Sequence, residues 1–146
     1  MSEPTACLSL VTLGVSDLAK STGFYEALGF RRKSRGADGV AFFEAGGVIL
    51  SLWPTAELAK DAEIASANPG GSFRGMSLAW NCTSASEVDR ALARAMEAGA
   101  TLIRSARTVF WGGYTAYFAD PDGHLWEVAY NPQFPFSADG HLLLPD

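Results

Sequence analysis

The side chains most often used for catalysis are scarce in this sequence. Only two histidines occur. His124 follows the turn Asp120-Pro121-Asp122-Gly123, and His141 lies in the C-terminal tail. A turn-flanking residue of this kind is expected at the surface. The two cysteines, Cys7 and Cys82, fall in strand-like segments, which reads as buried thiols rather than a disulfide framework or a metal site. No serine or cysteine stands in a nucleophile–base arrangement. Gly70-Gly71 and Gly112-Gly113 lack the flanking pattern of a phosphate-binding loop.

What the sequence does offer is binding chemistry. In Phe110-Trp111-Gly112-Gly113-Tyr114, two adjacent glycines allow a tight backbone excursion just before a strand. Such a segment can expose a backbone N–H, or hold Trp111 and Tyr114 against a ligand. It serves equally well as a packed element of a core or dimer. Asn81 is a second candidate ligand contact. If Ser77 faces a cavity, strand alternation carries Ala79 and Asn81 to the same side and leaves Trp80 on the helix side.

The elements that would position these residues follow from periodicity. Residues 6–15 read as a strand and Asp17 to Leu28 as a helix, with Leu18, Phe24, Tyr25 and Leu28 on one side and Gly29 as its stop. Phe30 begins a short strand, and two more follow at about 40–45 and 48–53 around the turn Gly46-Gly47. Residues 54–73 form a linker, with room for a short helix before the open turn Asn68-Pro69-Gly70-Gly71. The order then repeats: a strand at 75–82, then a helix introduced by the capping-box spacing of Ser84 and Glu87. That helix carries the stripe Val88, Leu92, Ala95 and Met96 and closes at Gly99. Strands are predicted at 101–108, 114–119 and 125–130, with the tail packing back through Phe134 and Phe136. One domain over 1–146 is therefore expected, with modules at about 6–53 and 74–132.

Bulk properties narrow the function classes. With 48% hydrophobic and 18% charged residues, the composition is that of a folded chain rather than a disordered one. A net charge of -5 argues against affinity for nucleic-acid phosphates, and Arg31-Arg32-Lys33 reads as a solvated edge. No apolar run approaches the roughly 20 residues of a membrane span. The N-terminus lacks an export signal, so a cytoplasmic protein is expected.

Three groups of residues resemble the vicinal oxygen chelate superfamily, which includes glyoxalase I, extradiol dioxygenases, and fosfomycin and bleomycin resistance proteins. They are Val15-Ser16-Asp17-Leu18, then Phe24-Tyr25 with Leu28-Gly29-Phe30, and finally Phe118 to His124 with Trp126-Glu127-Val128. The resemblance covers about 6–132. It implies an α+β fold in which two βαβββ modules form a curved, cupped mixed sheet, usually in a homodimer. The segment 110–114 and the ending Trp126 to Pro132 resemble a poorly characterised subgroup.

In metal-dependent members the resemblance places four ligands on inward strand positions. Here the first, seven residues before Asp17, is Leu10; the second falls nearest Leu50, with Leu52 beside it; the third is best matched by Ser77. Only the last is kept, as Glu127. One carboxylate among leucines does not supply the three or four N or O donors that a divalent ion takes. Neither a bound metal nor another cofactor is expected, although a site recruiting His124, His141 and Glu127 is conceivable. Glu127 then becomes the leading catalytic and ligand-binding candidate, as a hydrogen-bond acceptor, a partner for a ligand cation, or a base if burial raises its pKa. Its alternative is structural, paired with Asn81 or a tyrosine hydroxyl.

Three functional readings fit. The first is a protein binding a small molecule, aromatic or cationic, in a metal-free pocket lined by Asn81, Trp111, Tyr114 and Glu127. The second is an enzyme: a lyase or dioxygenase with atypical metal ligands, or an isomerase using Glu127. The third is a structural or regulatory dimer whose cavity is filled by Leu10, Leu50 and Leu52.

Overall fold

A computed structural model describes residues 6, 8–65 and 73–146. Cys7 and the turn at 68–71 lie outside them. The order strand, helix, three strands occurs twice. The first module comprises β1 (Leu10–Val15), α1 (Leu18–Leu28), β2 (Arg31–Lys33), β3 (Ala41–Glu44) and β4 (Ile49–Pro54). A short α2 (Thr55–Asp61) follows. The second module comprises β5 (Leu78–Asn81), α3 (Ala85–Ala98), β6 (Thr101–Thr108), β7 (Tyr114–Ala119) and β8 (Leu125–Tyr130). Among the described residues no helix is long and apolar enough to cross a membrane.

Both long helices begin and end as their sequences require. Asp17 and Ser84 cap them, accepting from the backbone N–H of Lys20 at 3.0 Å and of Glu87 at 3.1 Å. Gly29 and Gly99 end them at φ of 110° and 107°, where a side chain would be strained. The buried face of α3 is Val88, Ala91 and Ala95, while Met96, expected on that stripe, is 40% exposed. Ala91, outside the expected stripe, is buried instead, on a helix that packs against α1.

Each module folds its strands into a separate four-stranded mixed sheet, in the orders β1-β4-β3-β2 and β5-β8-β7-β6. In both sheets the first strand pairs parallel with the last. Strand alternation then sorts the side chains. Leu13, Val15, Leu50, Leu52 and Phe43 of the first sheet, with Phe118, Trp126 and Val128 of the second, belong to one shared core on the helix side. Leu50 and Leu52 are thus core residues, not residues of the opposite face as their match to a ligand position suggested. The pleat places Ile49 and Ser51 on that opposite face instead.

Aromatic rings bind the modules together. Tyr25 and Phe30 from the first module lie 6.0 and 5.8 Å from the ring of Trp126 in the second. A buried chain of hydrogen bonds runs through them: the Trp126 indole N–H donates to the Tyr25 hydroxyl at 3.1 Å, and that hydroxyl donates to Asp120 at 2.7 Å. Burial, reinforced by the Asp120 charge, holds the Tyr25 phenol far above its usual pKa, so it stays protonated and keeps donating. The Asp120–Gly123 turn is clipped to the first module by its second acid as well. Asp122 accepts from the Ser16 N–H at 2.9 Å and from the Ser21 hydroxyl at 3.1 Å.

His124 belongs to the same joint. It is only 8% exposed, and its Nε2 lies 2.7 Å from the Gly14 carbonyl oxygen. The surface position expected from its place after a turn is therefore incorrect, because this turn is docked on the first module rather than facing solvent.

Candidate functional site

With the helix sides shared, each sheet presents its other face outward. On the second sheet, register places Ala79, Glu127, Tyr117 and Arg104 in one row across all four strands. Glu127 is half-buried, and its Oε2 accepts a hydrogen bond from the Tyr117 hydroxyl at 3.1 Å. The Arg104 guanidinium lies over the Tyr117 ring, 5.2 Å from its centre. Its Nη1 donates to the carbonyls of Ser105 and Thr115, each at 3.1 Å, and its Nη2 to the Thr115 hydroxyl. Partial burial and then the Glu127 charge push the Tyr117 phenol up, with Arg104 opposing them. Tyr117 is therefore a neutral donor near pH 7.

The corresponding row on the first sheet is Thr12, Ser51, Phe42 and Lys33. Ser51 occupies in its module the place that Glu127 occupies in the other, and its hydroxyl lies 3.1 Å from that of Thr12. A hollow of about 390 Å3 opens over this face, bordered by Leu10, Phe42 and Trp53. Of the three leucines expected to fill the cavity, only Leu10 borders it.

The remaining sequence candidates divide between the two faces. Asn81 pairs in register with Ala129 and so shares the face of Glu127, one row along. Tyr114 points to the helix side, where its hydroxyl donates to Asp89 of α3 at 2.7 Å. Trp111 stays within its own hairpin. A Cβ on Gly113 would fall 2.0 Å from the indole, so the ring lies directly on that glycine. The structure thus brings Asn81 to the face of Glu127 and Tyr114 to the other, and places Trp111 in a hairpin loop.

Sequence reasoning missed Tyr117 and Arg104. A signal for Tyr117 existed: it and Glu127 are equidistant from Asp122, so a simple hairpin about the Asp-Pro-Asp-Gly turn sets them opposite one another. Arg104 gave no such signal, since the β6–β7 ladder shifts register on both sides of it.

The residues at the family's ligand positions do not fit a divalent metal. Read through the register, they are Leu10, Ser51, Ser77 and Glu127, a set with one carboxylate, two hydroxyls and an aliphatic chain. Joining the face of one module to that of another copy leaves this donor set unchanged. Neither histidine supplements it: His124 is turned to Gly14, and the His141 ring lies against Gly47. Among the described residues no group of three His, Cys, Asp or Glu side chains is placed to hold an ion.

A larger cleft of about 500 Å3 lies between the modules, under the tail. It is bordered by the C-terminal end of α1, the β3–β4 turn, strand β5, and residues Phe136 and His141. Cys82, next to Asn81, is buried, and desolvation pushes its thiol up to about 12, which removes it as a nucleophile near neutral pH.

Comparison with known proteins agrees with this architecture. The profile of the Glyoxalase/Bleomycin resistance protein/Dioxygenase superfamily matches residues 8–128. A glyoxalase-related enzyme from Fulvimarina pelagi is 34% identical, with a TM-score of 0.87 over 97% of this chain and 100% of its own. A glyoxalase/bleomycin resistance protein/dioxygenase from Nocardioides is 30% identical, with a TM-score of 0.72 over 89% of this chain and 85% of its own. A family enzyme from Burkholderia phytofirmans, 22% identical with a TM-score of 0.77 over 86% and 98%, shares the fold. No curated protein sequence matches the chain. The chain belongs to the glyoxalase/bleomycin resistance protein/dioxygenase superfamily.

Proposed function

We propose that this protein binds a small organic molecule, without a resident metal, on the sheet face that carries Glu127. The observation behind this reading is a half-committed carboxylate. Glu127 Oε2 accepts from Tyr117, while Oε1 has no partner among the described residues and retains the capacity to accept. Arg104 is committed to backbone and hydroxyl oxygens, so the free polarity of the row is acceptor-like. It suits an aromatic or cationic ligand with an N–H or O–H to donate, with the Asn81 amide in reach of a second polar group.

The pocket is completed by a second copy of the chain. The first module's outer face exposes Leu10 at the border of its hollow and Ile49 as Leu10's register partner, and a homodimer would lay that face over the Glu127 row of its partner. Glu127→Leu should remove binding, and Leu10→Glu should weaken both dimerisation and binding.

A second reading is favoured by the Tyr117–Glu127 pair, a proton donor set against a carboxylate as in acid–base catalysis, and by the relative described as a glyoxalase-related enzyme. On this reading Glu127 is the base of a metal-free isomerase.

The test is a thermal-shift screen of chelator-treated protein against small aromatic amines, phenols and organic cations. A ligand at about 100 times its Kd stabilises by roughly 2.7 kcal/mol, a readily measured shift. The expected result is at least one compound that stabilises the native protein but not Glu127→Gln. Stabilisation only after a divalent metal is added would overturn the reading.

A further inference from the structure

We infer a second binding site in the cleft of about 500 Å3 between the modules, which meets the Glu127 face only at the edge strand β5, through Ala79 and Asn81; its ligand is an apolar monoanion, such as an aryl or branched alkyl carboxylate. The volume is that of a site for a small organic molecule. The walls are apolar and come from both modules, with Leu28 and Phe30 facing Leu78 and Trp126. Among the described residues no aspartate or glutamate borders the cleft, although acids outnumber bases in the chain by 16 to 11.

The polar side chains at its rim are Asn81, Arg94 and His141. Arg94 is fixed in place there. Its Nε donates to the Ala27 carbonyl at 3.0 Å, laying the guanidinium across the end of α1. A Cβ on Gly29 would lie 3.0 Å from the guanidinium carbon and from both terminal nitrogens, so this glycine makes room for the group as well as ending the helix. Nη1 and Nη2 carry no hydrogen bond or ion pair among the described residues. The His141 ring, also on the cleft's lining, rests against Gly47, and its nitrogens are likewise uncommitted among those residues.

An apolar chamber edged by a held guanidinium and an imidazole, with no carboxylate to repel an anion, is complementary to a hydrophobic body with one anionic head. A guanidinium fixed through Nε still presents both terminal N–H edges to such a head. Phe136 and His141 contribute to the lining, so the tail forms one wall of the site.

The test compares 1-anilinonaphthalene-8-sulfonate with its uncharged counterpart N-phenyl-1-naphthylamine, by fluorescence titration of native protein, Arg94→Gln and Glu127→Gln. Loss of one charge-assisted contact should weaken the anionic probe about tenfold in Arg94→Gln. The neutral probe should change little in Arg94→Gln, and Glu127→Gln should leave the anionic probe's affinity as it was, which separates this site from the Glu127 row. The inference is overturned if the native protein fails to bind the anionic probe. It is also overturned if Arg94→Gln leaves that affinity intact, or lowers both affinities equally at an unchanged melting temperature.

Discussion

The Tyr25 hydroxyl of α1 donates a 2.7 Å hydrogen bond to the carboxylate of Asp120, 95 residues away at the head of the β7–β8 turn. Through that contact the helix of one module fixes the hairpin that carries Glu127 in the other. Removing the hydroxyl leaves a buried carboxylate short of a donor and the Trp126 N–H short of an acceptor. Tyr25→Phe should therefore cost about 2–4 kcal/mol, since a buried group left unsatisfied costs 1–3 kcal/mol and more when it is charged. Urea denaturation of the two proteins measures the difference directly.

Asp122 makes the neighbouring clip, to the Ser16 N–H and the Ser21 hydroxyl. Asp122→Ala should destabilise by about 1–3 kcal/mol, as expected for bonds to a charged acceptor. Because Ser21 itself is buried, Ser21→Ala in the Asp122→Ala background should add less than it does alone. A double-mutant cycle read by chemical denaturation reports this coupling.

The Cys82 thiol, pushed up to about 12, should resist alkylation in the folded protein. In a Cys7→Ser background, iodoacetamide at pH 8.5 should label Cys82 slowly until denaturant is added. The same shift has a consequence for stability. A thiol whose folded pKa exceeds its ordinary 9.0 favours the fold fully below that value, and the contribution is lost as pH rises from 9.0 towards 12. Relative to native protein, Cys82→Ala should lose stability less steeply across that window.

Much of the fold was legible because its determinants are local. Asp17, Gly29, Ser84 and Gly99 mark helix ends through groups within a few residues, and the structure places each helix where they indicate. The Asp120–Gly123 turn was legible for the same reason. Which way a residue faces depends on pairing with distant strands, and there the sequence was less informative. Leu50 and Leu52 shift from cavity to core by a single step of alternation. His124 is buried because its turn docks on residues more than a hundred positions away, a contact with no local signature. The Glu127 carboxylate was visible as a candidate, and Asn81 or a tyrosine hydroxyl was named as its partner only under the structural alternative; the partner is a tyrosine. Tyr117 stands opposite Glu127 about the Asp-Pro-Asp-Gly turn and was legible from that spacing; the placement of Arg104 over its ring needed the ladder.

Tyr117 and Arg104 should affect ligand binding through Glu127. Tyr117→Phe frees Oε2 and removes a donor while leaving the ring under Arg104 in place. For a ligand that donates to Glu127, affinity should change by about three- to tenfold, whereas Glu127→Gln should abolish the preference for a cation. Isothermal titration of both variants with the compound found by the thermal-shift screen separates the two effects.

The most direct test of the binding site is a crystal structure of chelator-treated protein soaked with a set of small aromatic amines and phenols, with anomalous data collected for ions. The expected result is an organic molecule within hydrogen-bond distance of Glu127 Oε1, with no anomalous peak beside it. An ion coordinated by Glu127, or a row filled only by solvent while the compounds bind elsewhere, would contradict metal-free binding on this face.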